Sequence, residues 1–202
     1  MKTLRVVLTL AGTLTAGAGL AAPLQTLHVT ETVEIKAPLD KVWATVKDFD
    51  GLAKWHPGFA RDELISGGNG KAGAMRKLTI KDGPVVTERL LAYDEAKHSY
   101  RYTITESPLP VTHYTSTISV RAGRTGMTKV TWGGSFKRKN TSDDPPEAES
   151  DAGVTKLIKG VYRGGLDNLK KLLEPSQRAA QRRDGWLSRQ APYTGPDPTL
   201  GK

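Results

Sequence analysis

Residues 73–94 read GAMRKLTIKDGPVVTERLLAYD, and this stretch decides the fold. Apolar and polar residues alternate on both sides of Lys81-Asp82-Gly83, the pattern of two strands with one covered face. A three-residue connection ending in glycine suits a type I turn with Gly83 in the left-handed region, and such a turn sets the register of a hairpin. Ile80 then pairs with Pro84, which puts Arg76 directly opposite Glu88. Arg76 shares its face with Leu78 and Ile80, and Glu88 shares its face with Val86 and Leu90. Both apolar sets need a covering layer, so the charge pair is expected to point inward with them. Buried charges persist when paired, and removing one partner typically costs about 3–5 kcal/mol.

The covering layer comes later in the chain. Val154, Leu157, Ile158, Val161, Gly165, Leu169, Leu172 and Leu173 recur at helical spacing on one stripe, and Pro175 stops the helix. Working outward from the hairpin, Leu27 to Lys36 alternates and reads as a strand. Pro38 opens a short helix in which Val42, Trp43 and Val46 share a face, and Asp50 is expected to cap a second short helix ending before Pro57. Phe59 to Ser66, Ser99 to Ser107, Tyr114 to Ala122 and Met127 to Arg138 read as further strands. Gly67-Gly68-Asn69-Gly70 and Gly123 to Gly126 are turn clusters, and Pro108-Leu109-Pro110 is a connection. The order is strand, two short helices, six antiparallel strands and one long helix. That order predicts an α+β fold in which a curved sheet of about seven strands wraps the long C-terminal helix. A curved inner face is larger than one helix can fill, so a ligand-sized pocket is expected between them.

The ends of the chain read differently. Lys2 and Arg5 precede the apolar run Val6 to Leu14, and Gly19-Leu20-Ala21 before Ala22-Pro23 fits a cleavage site, so residues 1–21 are expected to be a signal peptide. The expected product is periplasmic, with one domain over residues 22–174 and no later stretch apolar enough for a transmembrane helix. There is no cysteine, which removes disulfides, thiol nucleophiles and thiolate metal sites. The formal charge is +9, and loss of Lys2 and Arg5 with the leader leaves +7. Residues 175–202 carry Arg178, Arg182, Arg183, Arg189 and Lys202 against Asp184 and Asp197 and lack periodicity, so a basic, disordered tail is expected. Nucleic acid is not an expected partner, because export argues against it and the tail offers only Trp186 and Tyr193 for stacking.

This order of elements carries Val42-Trp43, Asp48-Phe49, Trp55-His56-Pro57, Arg76-x-Leu78, Glu88-x-Leu90 and Tyr114-x-Ser116-Thr117-Ile118. Together they resemble the START/Bet v 1-like superfamily, and within it the polyketide cyclase/dehydrase-type (SRPBCC) proteins, particularly the exported MxaD-like branch. The resemblance covers about Thr26 to Leu173 and implies a helix-grip fold with a hydrophobic ligand cavity. The branch implies an accessory role in methanol or alcohol oxidation, in which a quinoprotein dehydrogenase passes electrons to its cytochrome. The wider superfamily implies binding of small hydrophobic ligands, with occasional cyclase, dehydratase or isomerase chemistry. Arg76 and Glu88 match the positions of an Arg and a Glu that serve catalysis in plant lachrymatory-factor synthases.

Two readings therefore stand. A non-enzymatic binding or accessory protein is placed first. The alternative is a small enzyme with Glu88 as base and Arg76 as oxyanion partner. Tyr102, Tyr114 and Trp132 have inward parity and are expected to line the pocket with Arg76 and Glu88, since buried Tyr and Trp need partners for their polar atoms. Trp55-His56-Pro57, Lys81-Asp82-Gly83, Ser107 to His113 and Asp143 to Asp151 are expected at one end of the sheet, the mouth, with His56 and His113 as gate residues. No metal is expected, since His28, His56, His98 and His113 lack ligand spacing. No cofactor is expected either, because HExxH, P-loop, GxGxxG and GxSxG patterns are all absent.

Overall fold

The computed structural model describes residues 24–174. The expected leader, residues 1–21, and the expected basic tail, residues 175–202, lie outside the described residues. Strand β1 (Leu27–Ile35) is followed by helix α1 (Leu39–Val46) and a one-turn 3-10 helix, Leu52–Lys54. Six strands follow: β2 (Phe59–Ser66), β3 (Met75–Ile80), β4 (Val85–Asp94), β5 (Ser99–Glu106), β6 (Val111–Ala122) and β7 (Thr128–Arg138). A second 3-10 turn, Glu147–Glu149, leads into α2 (Asp151–Leu173).

All neighbouring strands are antiparallel, in the order β1-β7-β6-β5-β4-β3-β2. This is the α+β helix-grip arrangement expected from the element order. The β3–β4 hairpin has the register read from the sequence, with Arg76 opposite Glu88 and Leu78 opposite Val86, and Ile80 N donates to Pro84 O at 3.0 Å. The turn itself differs: Asp82, with φ 54°, takes the left-handed residue rather than Gly83. Aspartate tolerates that conformation better than most side chains. The second short helix is also not capped by Asp50, because Gly51 holds the N-cap position and Asp50 Oδ1 accepts from Asn69 Nδ2 at 2.7 Å.

Helix α2 starts where the Ser150 Oγ accepts from Gly153 N at 3.1 Å, a cap worth about 1 kcal/mol. Its buried face is Val154, Ile158, Tyr162, Gly165, Leu166, Leu169 and Leu173. The expected stripe is therefore rotated. Leu157 and Leu172 are exposed, while Tyr162 and Leu166 turn inward. Leaving out Tyr162, whose large apolar ring ends in a polar tip, and Leu166 pulls the expected stripe off axis. Between α2 and the sheet the core runs from Val29 and Ile35 through Trp43, Phe49 and Trp55 to Trp132 and Phe136.

Candidate functional site

Strand alternation turns Val86, Glu88, Tyr102, Ile104 and Trp132 onto the concave face, and α2 lays Ile158 and Val161 across them. These side chains, with Leu78, Leu109 and Tyr114, enclose a largely apolar cavity of about 320 Å³. That is the lower end of the range in which small-molecule sites fall. Glu88, Tyr102, Tyr114 and Trp132 thus meet at one cavity, as their parity predicted.

Arg76 stands behind this wall rather than on it. It is fully buried, its Nε donates to Glu88 Oε2 at 2.8 Å, and its Nη2 lies 2.6 Å from the same oxygen. Nη1 donates to the Phe49 carbonyl and reaches Asp62 Oδ2 at 3.3 Å. The guanidinium also lies over the Phe49 ring, 4.3 Å from its centroid. The predicted pair is therefore a triad in which one cation serves two carboxylates. Asp62 is absent from the sequence reading because β2 has irregularities between Phe59 and Arg61 and between Leu64 and Ser66. A strand that slips its register hides which face a residue takes. The surviving signal is the pairing of Asp62 with buried Leu78.

Burial pushes the Asp62 carboxyl up to about 6, and Arg76 offsets only part of that cost. Burial also raises Glu88, against the pull of the Arg76 guanidinium. For Arg76 burial works against the charge, yet Glu88 and Asp62 outweigh it and hold the proton more firmly than in water.

A second polar cluster forms the far wall. Tyr162, missed in the sequence stripe, brings its hydroxyl to Tyr114 Oη at 2.7 Å and donates to Ser116 Oγ at 3.0 Å. Ser116 Oγ donates to Gly133 O at 3.0 Å. Trp132 Nε1 donates to both Tyr102 Oη and Ser116 Oγ, each at 3.0 Å. The Trp132 and Tyr162 rings stack with centroids 4.6 Å apart and planes at 14°. Burial raises all three phenols, Tyr162 to about 12, so they stay neutral at physiological pH.

His56 is buried and fixed, not a free gate. Its Nδ1 accepts from Gly58 N at 3.0 Å, which leaves the proton on Nε2 to donate to Val161 O at 2.9 Å. Burial lowers its pKa, so the ring stays neutral. Asn168 Nδ2 donates to Trp55 O at 2.9 Å and ties the same loop to α2. Outside this loop runs an apolar groove of about 910 Å³ bordered by His56, Pro57, Pro110, Glu147, Leu157 and Val161. Leu157 and Val161 border both groove and cavity. Of the segments expected at the mouth, Trp55-His56-Pro57, the 107–113 connection and the 143–151 insert contribute His56, Pro57, Pro110 and Glu147, whereas Lys81-Asp82-Gly83 does not line it. His113 does not join them. It is exposed at φ 51° beside a register shift in β6, next to a separate hollow of about 180 Å³.

Among known proteins, the family model described as polyketide cyclase/dehydrase and lipid transport matches residues 26–174. The abscisic acid receptor PYL10 of Arabidopsis thaliana is 27% identical over 150 residues, covering 71% of this chain and 77% of the receptor. The solved structure of the protein XoxI from Bacillus cereus superposes with a TM-score of 0.63 at 31% identity, covering 72% of this chain and 94% of that one. Ara h 8.0201, at 22% identity and a TM-score of 0.57 over 74% of this chain and 98% of its own, shares the fold.

Proposed function

Because the chain belongs to the polyketide cyclase/dehydrase and lipid transport family, we propose that it holds a small apolar ligand in the cavity beneath α2 without transforming it. The observation that carries this reading is the cavity itself, whose wall is apolar apart from a few convergent polar groups. The similarity to a receptor for a small ligand supports it. The enzymatic alternative needs Arg76 as an oxyanion partner, and Arg76 is fully buried behind Glu88, outside the cavity wall. We take Glu88, Tyr102, Tyr114 and Trp132 as the ligand contacts, with Arg76 holding Glu88 in place. His56 shapes the adjoining groove, and His113 has no part in this cavity.

N-phenyl-1-naphthylamine, an uncharged apolar fluorophore, should bind the folded protein with enhanced fluorescence, competed by small apolar molecules. Ile104 lines the cavity and is only partly buried, so Ile104→Trp should fill it and weaken binding at least tenfold. Unchanged probe binding in a folded Ile104→Trp protein would place the probe elsewhere and remove the reading.

We further propose that the chain belongs to the exported MxaD-like branch and acts in the periplasm between a quinoprotein alcohol dehydrogenase and its cytochrome. Support comes from the leader pattern of residues 1–21 and from opposite charges at two segments. Asp143, Asp144, Glu147, Glu149 and Asp151 form an acidic insert, while residues 175–202 are basic. Such charges steer partners over about 8–10 Å and lose reach as salt rises. The exported protein should begin at Ala22, and adding it should speed dehydrogenase-to-cytochrome transfer at low salt but not at high salt. A transfer rate indifferent to the protein at every ionic strength would remove this role.

A further inference from the structure

The direction of each proton in the tyrosine cluster can be assigned. Ser116 donates to Gly133 O and receives the Tyr162 proton. The 2.7 Å contact between Tyr114 and Tyr162 must then use the Tyr114 proton. Tyr102 accepts from Trp132 Nε1, and its own proton is left with Tyr114 Oη at 3.5 Å. An O–H···O bond normally spans 2.5–3.0 Å, so the chain ends in a donor that is hardly used. Tyr102 borders the cavity.

Glu88 borders the same cavity and lies on the neighbouring strand, opposite Ile104, two residues along from Tyr102. Both Arg76 contacts fall on Glu88 Oε2, and among the described residues no hydrogen bond reaches Oε1. The cavity thus offers one donor and one acceptor on adjacent strands, with apolar wall around them. A second anion would enter a region where one guanidinium already serves Glu88 and Asp62. A ligand carboxylate would be left without a countercharge, at the cost of an unpaired buried ion.

Resting on the ligand-binding reading above, we infer that the cavity selects an uncharged apolar molecule bearing one hydroxyl group, which donates to Glu88 Oε1 and accepts from Tyr102 Oη. Naphthalene, naphthol and naphthoate share one ring body and differ only in the polar group, so calorimetric titration of the three at neutral pH tests this. Naphthol should bind about tenfold more tightly than naphthalene, the range of a pair of hydrogen bonds, and naphthoate more weakly than either. Tyr102→Phe should cut the naphthol advantage to what the Glu88 bond alone supplies, and cost naphthalene less than it costs naphthol. Trp132 Nε1 keeps its bond to Ser116 in that variant, so the cluster retains a partner for every buried donor. Naphthoate binding as tightly as naphthol, or equal losses for naphthol and naphthalene in Tyr102→Phe, would overturn the hydroxyl assignment while leaving cavity binding intact. Binding of none of the three would overturn both readings.

Discussion

Replacing Arg76 with Met should destabilise the protein by about 3–5 kcal/mol at neutral pH, the usual cost of stranding a buried ion. The substitution keeps the apolar stem but removes the only cation that Glu88 and Asp62 share among the described residues. The loss should shrink as pH falls, because burial has already raised both carboxyls and they can then take up protons. The sign follows from the direction of the shift. Asp62 has a folded-state pKa raised from 3.8 to about 6, so the folded protein binds more protons than the unfolded chain across that window. Its contribution is fully present below the unfolded value and is lost as pH rises through about 6. Without Arg76 the window should widen upward, since the guanidinium now opposes protonation of both acids. The double variant Arg76→Met/Glu88→Leu should cost less than the sum of the single changes, with a coupling of about 0.5–3 kcal/mol. Urea unfolding of the four proteins at two pH values measures all of this. Additive losses, or a loss identical at both pH values, would show that the guanidinium does not compensate the carboxylates.

Two adjacent glycines in α2 should respond to alanine with opposite signs. A Cβ at Gly165 would lie 2.4 Å from His56 Cδ2 and 2.9 Å from Trp132 Cζ3. Neither ring can step aside easily, since His56 is bonded through both nitrogens and Trp132 stacks on Tyr162. Gly165→Ala should therefore destabilise by about 1–3 kcal/mol in spite of the better helix former. It should also weaken probe binding, because the displaced Trp132 borders the cavity. At Gly164 a Cβ meets nothing within 4 Å. Gly164→Ala should accordingly stabilise by about 0.5–1 kcal/mol through helix propensity alone. Equal thermal shifts for the two variants would mean that α2 does not lie this close to His56 and Trp132.

The hairpin from 73 to 94 shows what was legible beforehand. Alternation has a period of two, so one short turn leaves a single register and every facing follows. That logic placed Arg76 opposite Glu88 and turned Tyr102 and Trp132 inward without any long-range knowledge. It weakened where the period breaks. Asp62 sits between two irregularities in β2, and His113 sits at the shift in β6, so parity misses the first and carries no information on the second.

The amino-acid sequence alone determined the order of elements, the α+β class and the inward charge pair, because all three rest on local period and turn chemistry. The docking of α2 was decided only in three dimensions. Which ring atoms lie near Gly165, and which hydroxyl reaches Ser116 from Tyr162 across 46 positions of chain, depends on how a rotated stripe seats on a curved sheet. The same docking buried His56 by pairing both of its nitrogens with backbone, where a loop histidine on its own would stay in water. It also closed the cavity over Glu88 and Tyr102. The expected and buried faces share Val154, Ile158, Gly165, Leu169 and Leu173, and a modest rotation about the helix axis is enough to exchange Leu157 and Leu172 for Tyr162 and Leu166. Polar contacts between distant residues have no periodic signature, so only the folded chain could bring them together.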